Sequence, residues 1–256
     1  IGEPVAAVAA VTEEIAERAL DLINVDYEVL PFVDNPMDAI KKDAPVIHEG
    51  FERNVNVTRQ IAWGDLEEAM EEADYIREDW FRLGGQHHMC METRAAVASY
   101  TPDGKLTIYT STQSAYYHQA LLAGVLGLRE GNIRVIAPYV GGGFGAKLNT
   151  YPEEVLVAYL SRRLRRPVKW VETRRENLVA TAQGRSQTGR FEVACDAQGR
   201  VLALRAHLLA DIGAYTLSTT VDIPALTVRV LTGPYAIEHV QAEVVEVYTH
   251  KTPTGA

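Results

Sequence analysis

The sequence has few cysteines and no long apolar run, and each absence excludes a class of protein. It contains two cysteines, Cys90 and Cys195, and no CxxC pair. We therefore expect neither an iron–sulfur cluster nor a structural zinc site within it. The longest apolar stretches, such as Val5–Val11 and Leu121–Val125, are far shorter than the ~20 residues that span a bilayer. No secretory signal pattern is recognisable, so we expect a cytoplasmic protein with no membrane partner.

Basic residues are also in deficit. The chain has 25 Lys and Arg against 34 Asp and Glu, a formal net charge of −9. That charge repels nucleic acid, which is not expected as a partner. A hydrophobic share of 47% with 23% charged residues is typical of a globular protein. Because the chain runs from Ile1 to Ala256 without a starting methionine, we expect an internal segment of a longer protein.

The apolar pattern predicts a mixed α+β fold. Strands are expected at Pro4–Val11 and Val25–Leu30, on either side of a helix capped by Thr12, which together form a small βαβ-like unit. A connector over residues 31–50 is expected to carry a domain boundary. Further elements are predicted as helices at Leu66–Ala73, Ala115–Leu126 and from Pro152 to Leu164, strands at Tyr75–Leu83, Ile133–Val140 and Val168–Glu172, and hairpins at Arg94–Ser111 and Gln187–Ala210.

A glycine-rich segment, Gly141–Lys147 with the sequence GGGFGAK, is the strongest local signal. Glycines let backbone N–H groups approach a ligand closely and form a concave anion site. From the residues alone, a tight turn and a dinucleotide loop both stay open, the latter because Gly141, Gly143 and Ala146 match G-x-G-x-x-A. An NAD-dependent dehydrogenase is the corresponding alternative function. Against it, the next helix is predicted to begin only at Pro152, so its N-terminus would not meet the pyrophosphate.

A wider set of motifs carries a resemblance to a known family. In chain order they are Gly85-Gln86-His87-His88, Met91-Glu92-Thr93, Ser111-Thr112-Gln113, Val140–Lys147, Pro167–Glu172, Glu176-Asn177 and Asp211–Tyr215. Together they resemble the molybdopterin-binding large subunits of the molybdenum hydroxylases, the xanthine dehydrogenase and aldehyde oxidase family. The most similar branch is that of the aerobic carbon monoxide dehydrogenase large chain. The resemblance implies that residues 1–45 end an α/β hammerhead domain and residues 46–256 begin the molybdopterin-binding domain.

The resemblance also implies roles for individual residues. Gln86 matches the glutamine whose amide donates a hydrogen bond to an oxo ligand of molybdenum. Phe144 matches the residue of the glycine loop that lies against the metal and the pterin, and Gln113 belongs to a second motif near the pterin. The remaining expected cofactor contacts are the loop glycines Gly141, Gly142, Gly143 and Gly145. Because the family holds its metal through the pterin, no metal-ligating side chain is expected in this chain.

Two departures from the family pattern limit what the resemblance implies. Purine-oxidising members carry a glutamate directly after the loop lysine, where this chain has Leu148, so xanthine is not expected as substrate. Aldehydes, aromatic heterocycles or a CO-like molecule stay open. The family's catalytic base, a glutamate near the far C-terminus of the large subunit, has no counterpart here. Glu92 and Glu172 are conspicuous acids, but both are expected to serve structure, so the segment alone is expected to be inactive.

Cofactors and partners follow from the resemblance as well. It implies a molybdenum–molybdopterin cofactor, in its cytosine dinucleotide form, bound by an oxidoreductase that takes oxygen from water. Electrons would pass to 2Fe–2S clusters and FAD on an iron–sulfur small subunit and an FAD medium subunit, in an oligomer of heterotrimers. Besides the NAD-dependent alternative, a non-catalytic binding or assembly module stays open because the base is missing.

Overall fold

The computed structural model describes residues 2–256, which divide into two compact units. One unit combines the residues up to Leu30 with His88–Thr181, and the other combines Pro31–His87 with Ala182–Ala256. No helix in the described range is long and apolar enough to cross a bilayer. The domain boundary between residues 45 and 46 stays a prediction.

The regular elements are α-helices and β-strands in mixed order, as the sequence predicts. In chain order they are α1 (Glu13–Leu20), α2 (Pro36–Ala39), β1 (Val55–Trp63), α3 (Leu66–Glu71), β2 (Tyr75–Gln86), β3 (Ala95–Tyr100), β4 (Leu106–Thr110), α4 (Ala115–Leu126), β5 (Ile133–Ile136), α5 (Pro152–Leu164), β6 (Val168–Val171), α6 (Arg174–Ala180), β7 (Gly184–Cys195), β8 (Val201–Gly213), α7 (Asp222–Arg229) and β9 (His239–Tyr248). Short 3₁₀ turns lie at Glu52–Asn54 and Glu130–Asn132.

The first unit is built on a four-stranded sheet in the order β5-β4-β3-β6. Strand β3 is antiparallel to both β4 and β6, whereas β4 and β5 are parallel and are connected through α4. A core of buried side chains, including Ile108, Leu122 and Val157, joins the sheet to α4 and α5. Burying a side chain of this size contributes about 1.5–3 kcal/mol, so this core fixes the sheet on which the glycine-rich segment depends.

Helix α5 has the ends that its sequence predicts. Pro152 occupies the first turn, where its missing N–H costs nothing. The Glu154 carboxylate accepts the backbone N–H of Tyr151 at 2.7 Å, which completes a capping box. The helix ends at Leu164, and the following C-cap residue, Arg165, adopts a left-handed conformation with φ of 53°. These local signals explain why both ends are predicted correctly.

The second unit is built on a five-stranded sheet in the order β1-β9-β8-β7-β2. Its strands are antiparallel except for β8 and β9, which are parallel and connected through α7. Leu208, Val228 and Val244 are members of its buried core. The predicted hairpin at Gln187–Ala210 is confirmed by the pairing of β7 with β8. The mixed sheets confirm the α+β class.

Several sequence-based expectations are wrong. Neither Pro4–Val11 nor Val25–Leu30 is a strand, so the predicted βαβ-like unit is absent from the described residues. Both stretches are apolar but largely exposed, and a strand needs a paired neighbour as well as apolar residues. The helix between them is confirmed, with the Thr12 hydroxyl accepting the N–H of Ile15. The strand expected at Ile133–Val140 ends at Ile136.

Candidate functional site in the glycine loop

The glycine loop, Gly141–Lys147, has a backbone that requires glycine at two positions. Gly142 and Gly145 have φ of 97° and 98°, conformations that other residues rarely adopt. Phe144 also has a positive φ of 51°, and its ring is 71% exposed. A left-handed non-glycine residue carries a strain of about 1–2 kcal/mol. Such strain persists only where the surroundings impose it, and it is typical of ligand-binding segments.

Gln113 holds the C-terminal half of the glycine loop. Its side-chain oxygen Oε1 accepts the N–H of Gly145 at 3.0 Å and the N–H of Lys147 at 3.2 Å. Its own backbone N–H donates to the Lys147 carbonyl at 3.0 Å. A Cβ at Gly143 would lie 2.3 Å from Gln113 Cδ, so only glycine fits over this side chain. The sequence motif Ser111-Thr112-Gln113 thus lies in contact with the loop.

Glu92 binds the first residue of the loop, Gly141, and its last residue, Lys147. Its Oε2 accepts the N–H of Gly141 at 2.8 Å and the ammonium of Lys147 at 2.6 Å. Burial opposes ionisation of this carboxyl, but the Lys147 and Gly141 hydrogen bonds outweigh it and lower the Glu92 pKa. A Cβ at Gly141 would lie 2.6 Å from the Cβ of Glu92, so this glycine also permits a close approach.

Between these two anchors the loop presents free donors. The N–H groups of Gly142, Gly143 and Phe144 make no hydrogen bond within residues 2–256. Consecutive backbone N–H groups of this kind can bind an anion or donate hydrogen bonds to an oxygen-rich group. Gly145 was expected to contact the cofactor as well, but its N–H already donates to Gln113. The free donors are therefore those of Gly142, Gly143 and Phe144.

Gln86 belongs to the second unit. It is the last residue of β2, opposite Gly184 of β7, and its side chain is exposed. The side-chain amide makes no hydrogen bond within the described part of the chain. Gly85, just before it, has the side-chain oxygen of Gln183 only 2.7 Å from where a Cβ would lie. The side-chain amide of Gln86, which has no partner among the described residues, is therefore available to a ligand.

Leu148 follows the glycine loop directly. Its N–H donates to the carbonyl of Gly145 at 3.1 Å, which continues the turn. The side chain is half-buried and offers neither a donor nor an acceptor. The residues of the loop therefore provide no side-chain group for the polar edge of a purine at this position.

The other conspicuous acid, Glu172, directly follows β6 in the first unit and is buried. It forms a buried ion pair with Arg94, with 2.6 Å between Arg94 Nη2 and Glu172 Oε1. Burial disfavours the charge on Arg94, but the carboxylates of Glu153 and Glu172 outweigh it and raise the Arg94 pKa. Asn177 and Thr181 of the α6 region also donate to Glu172, at 2.8 and 3.0 Å. Its structural role is as the sequence predicts.

The residues of the loop fit a cofactor that brings its own metal ligands. Within residues 2–256 no group of three or more His, Cys, Asp or Glu side chains is placed to hold a metal ion. What the loop offers is three free N–H donors, an exposed aromatic ring and glycines at close approaches. A pterin-bound metal with oxygen acceptors needs donors and contact surface of this kind, and it needs no protein ligand.

The surroundings of the loop do not fit a dinucleotide fingerprint. That motif requires a strand directly before its glycines and a helix directly after them. Here β5 ends at Ile136, well before Gly141, and α5 begins only at Pro152. The helix N-terminus thus does not follow the loop, and the NAD-dependent interpretation loses its structural basis.

Sequence reasoning missed the two anchors of the loop. Glu92 was expected to serve structure in general, without a partner, and Gln113 was expected near the pterin. The available signal was Lys147, the last residue of the glycine loop, because a lysine that becomes buried requires a carboxylate. Nothing in the sequence says which carboxylate that is.

Comparison with known proteins supports the same family. A family model described as a molybdopterin cofactor-binding domain matches residues 47–256. The chain is 35% identical over its whole length to the nicotine 6-hydroxylase large subunit of Paenarthrobacter nicotinovorans, covering 32% of that protein. It is 34% identical over 99% of its length to the carbon monoxide dehydrogenase large chain of Hydrogenophaga pseudoflava, covering 33% of it.

A solved structure agrees. Quinoline 2-oxidoreductase from Pseudomonas putida 86 superposes on 96% of this chain with a TM-score of 0.90 and 33% identity, and the chain covers 32% of it. The chain thus spans about a third of the length of these relatives. It belongs to the molybdopterin cofactor-binding domain family of the molybdenum hydroxylase large subunits.

Proposed function

We propose that the chain is the cofactor-binding part of a molybdenum-dependent oxidoreductase that hydroxylates a small carbon substrate with oxygen from water. The observation that carries the proposal is the row of three unpaired N–H groups at Gly142, Gly143 and Phe144, in a loop whose two ends are fixed. Membership of the molybdopterin cofactor-binding family supports it. The catalytic glutamate implied by the family resemblance would lie in a part of the protein that this chain does not contain.

When bound, the cofactor supplies the two-electron redox chemistry, and the chain supplies orientation and hydrogen bonds. We assign the free N–H groups of the loop to oxygen acceptors of the cofactor, because neutral donors stabilise negative charge there. The exposed Phe144 ring would cover the metal end. Gln86 would donate its free side-chain amide to an oxygen ligand of the metal, and an amide does so without competing as a ligand.

The remaining assigned residues act on the loop itself. Gln113 fixes Gly145 and Lys147 through its Oε1, so its part in cofactor binding is to hold donors in place. Gly141 is fixed by Glu92 in the same way. Preorganised donors cost no reorganisation when the cofactor binds, which is why a fixed loop suits this task.

Leu148 is assigned to the substrate side of the loop. An apolar residue there favours aldehydes, aromatic heterocycles or a CO-like molecule over xanthine. The relatives named above include proteins described as acting on nicotine, quinoline and carbon monoxide, all consistent with this class. A leucine leaves the polar edge of a purine without a partner, and an unpaired buried polar group is costly.

Further features are proposed from the family resemblance. Residues 1–45 would end a hammerhead domain, and the cofactor would have the cytosine dinucleotide form. Electrons would leave through 2Fe–2S and FAD groups on a small and a medium subunit, in an oligomer of heterotrimers in the cytoplasm. The names of the relatives support partner subunits, since several are described as subunits of larger enzymes.

Molybdenum analysis of the full-length protein, purified with its partner subunits, tests the proposal. We expect about one molybdenum per large chain, as one cofactor site implies. A Gln86→Ala variant should keep the metal but lose turnover of aldehydes or heterocycles. Molybdenum-free wild-type protein, from cells shown to make the cofactor, would contradict the proposal and favour a non-catalytic binding or assembly module.

A further inference from the structure

Lys147 is a buried cation with a single carboxylate partner. Its side chain is 1% exposed, and within residues 2–256 the only acid within 4.0 Å of its ammonium is Glu92, at 2.6 Å. A buried ammonium without a partner is strongly unfavourable, so the position of Lys147 depends on Glu92. Because Lys147 ends the glycine loop, this pair ties the loop's last residue to a segment outside it.

Glu92 also forms two hydrogen bonds with Gly141, the first residue of the same loop. Its carboxylate accepts the Gly141 N–H at 2.8 Å, and its backbone N–H donates to the Gly141 carbonyl at 3.1 Å. One side chain therefore joins Gly141 to Lys147, the two ends of the loop. Its oxygen Oε2 makes both of these contacts.

The two anchors, Gln113 and Glu92, bind different residues of the loop and share Lys147. Gln113 binds Gly145 and Lys147 from one side, and Glu92 binds Gly141 and Lys147 from the other. The residues Gly142–Phe144, whose N–H groups make no hydrogen bond within residues 2–256, lie between these fixed points. The carbonyl of Gly143 accepts the Ala146 N–H at 2.9 Å and the Cys90 thiol at 3.4 Å. The anchors therefore fix both ends of this stretch, and the bonds to the Gly143 carbonyl fix its middle.

We propose that Glu92, in its ion pair with Lys147, is the positioning residue that keeps the glycine loop in its binding conformation before the cofactor binds. Glu92 does not touch the reacting atoms in this proposal, since its carboxylate is committed to Lys147 and Gly141. Its effect reaches the cofactor through the loop's backbone. The proposal rests on the function proposed above for that loop.

The alternative is that Glu92 and Lys147 merely stabilise the unit as a whole. The two roles differ in which part of the protein a substitution of Glu92 destabilises. A positioning role confines the effect to the loop and to cofactor retention, whereas a general role spreads it over the sheet and its helices. Hydrogen exchange, read peptide by peptide, separates local opening from global unfolding.

The test uses the full-length protein with its partner subunits and four variants. Glu92→Ala removes both contacts, and Glu92→Gln keeps an acceptor for Gly141 but leaves the Lys147 charge unpaired. The double variant Glu92→Gln/Lys147→Met removes the unpaired charge while keeping that acceptor. Asp103→Asn is the matched control, because Asp103 forms an exposed ion pair with Lys105, at 3.0 Å, in the same unit.

Two quantities are measured: molybdenum retained per chain after dialysis, and amide exchange in peptides covering Gly141–Leu148. We expect both single Glu92 variants to raise exchange in the loop about tenfold or more, as local opening allows, and to retain clearly less molybdenum. In the double variant, loop exchange and molybdenum retention should both return toward the wild-type values. The Asp103→Asn control should have wild-type values of both. Peptides from β3, β4 and α4 should exchange at wild-type rates in the Glu92→Gln variant.

The contrary results are distinct. Wild-type loop exchange and wild-type molybdenum in Glu92→Ala would overturn the inference. So would a double variant no better than Glu92→Gln, or exchange raised equally across the whole unit in Glu92→Gln. If the wild-type protein itself holds no molybdenum, the proposed function fails, and the loop exchange still decides whether Glu92 orders the loop.

Discussion

A methyl group at Gly143 would dislodge the side chain that holds the glycine loop. A Cβ built there lies 2.3 Å from Gln113 Cδ and 2.4 Å from its Oε1, far inside normal contact. Because Gln113 is flexible, we expect it to rotate away in a Gly143→Ala variant. Its Oε1 then loses the N–H groups of Gly145 and Lys147.

The size of the effect follows from those two hydrogen bonds. Each contributes about 0.5–1.5 kcal/mol net, so the loss is about 1–3 kcal/mol. At about 1.4 kcal/mol for each factor of ten, the bound-ready loop becomes about 5- to 140-fold less populated relative to open forms. The upper half of that range is expected, because Gly145 and Lys147 are buried and their N–H groups would lack water as a substitute.

Amide exchange at Gly145 and Lys147 in the full-length protein measures this directly. The matched control is Gly124→Ala, because a Cβ at Gly124 of helix α4 meets nothing within 4 Å. Alanine is favoured over glycine in a helix by about 1 kcal/mol, so this control should be neutral or stabilising. Wild-type exchange at both loop amides in Gly143→Ala would show that the Gln113 hydrogen bonds do not hold the loop.

Three further outcomes are expected from the same unit. Glu172→Gln leaves Arg94 with Glu153 as its one charged partner among the described residues. It should lower the free energy of unfolding in urea by about 3 kcal/mol, the low end for a broken buried pair. A loss near zero would contradict the ion-pair assignment. Burial opposes ionisation of Glu154, yet its hydrogen bonds lower its pKa. Its contribution is therefore full above the ordinary pKa of 4.5 and lost as pH falls through the lowered value. Melting temperatures followed into that acid range should show a steeper fall for wild type than for Glu154→Gln. Thr173→Ala removes the cap of α6 and should weaken its exchange protection by about 1 kcal/mol, whereas Thr173→Ser should keep it.

Elements with strong local signals could be predicted from the sequence. Helix α5 begins at Pro152 and ends at Leu164 as predicted, since the proline and the first-turn acids mark its start. The turn Thr101–Gly104 joins β3 to β4 as expected, with the Gly104 N–H donating to the Thr101 carbonyl. In both cases the determining contacts lie within a few residues of each other.

Not every strand that pairs with distant parts of the chain was predicted. Strand β9 was missed although it lies inside the five-stranded sheet, because its neighbours β1 and β8 come from separate parts of the chain. Conversely, Val25–Leu30 has the apolar pattern of a strand but no paired neighbour among the described residues. Apolar residues favour a strand, but a ladder partner makes one.

The candidate site divides in the same way. The glycines that permit the loop's close approaches are adjacent in sequence, so the loop was visible at once. Its anchors are not: Glu92 lies 49 residues before Gly141, and Gln113 lies 32 residues before Gly145. Only the folded chain brings them together, so the sequence did not indicate that Gln113 binds the Gly145 N–H or that Glu92 binds Gly141 and Lys147.

A crystal structure of the full-length protein with its partner subunits, measured at the molybdenum absorption edge, tests directly whether the glycine loop binds the cofactor. We predict an anomalous peak beside the glycine loop, with cofactor oxygens accepting the N–H groups of Gly142, Gly143 or Phe144. A loop whose three N–H groups face only solvent or other protein groups, with molybdenum bound elsewhere, would contradict it.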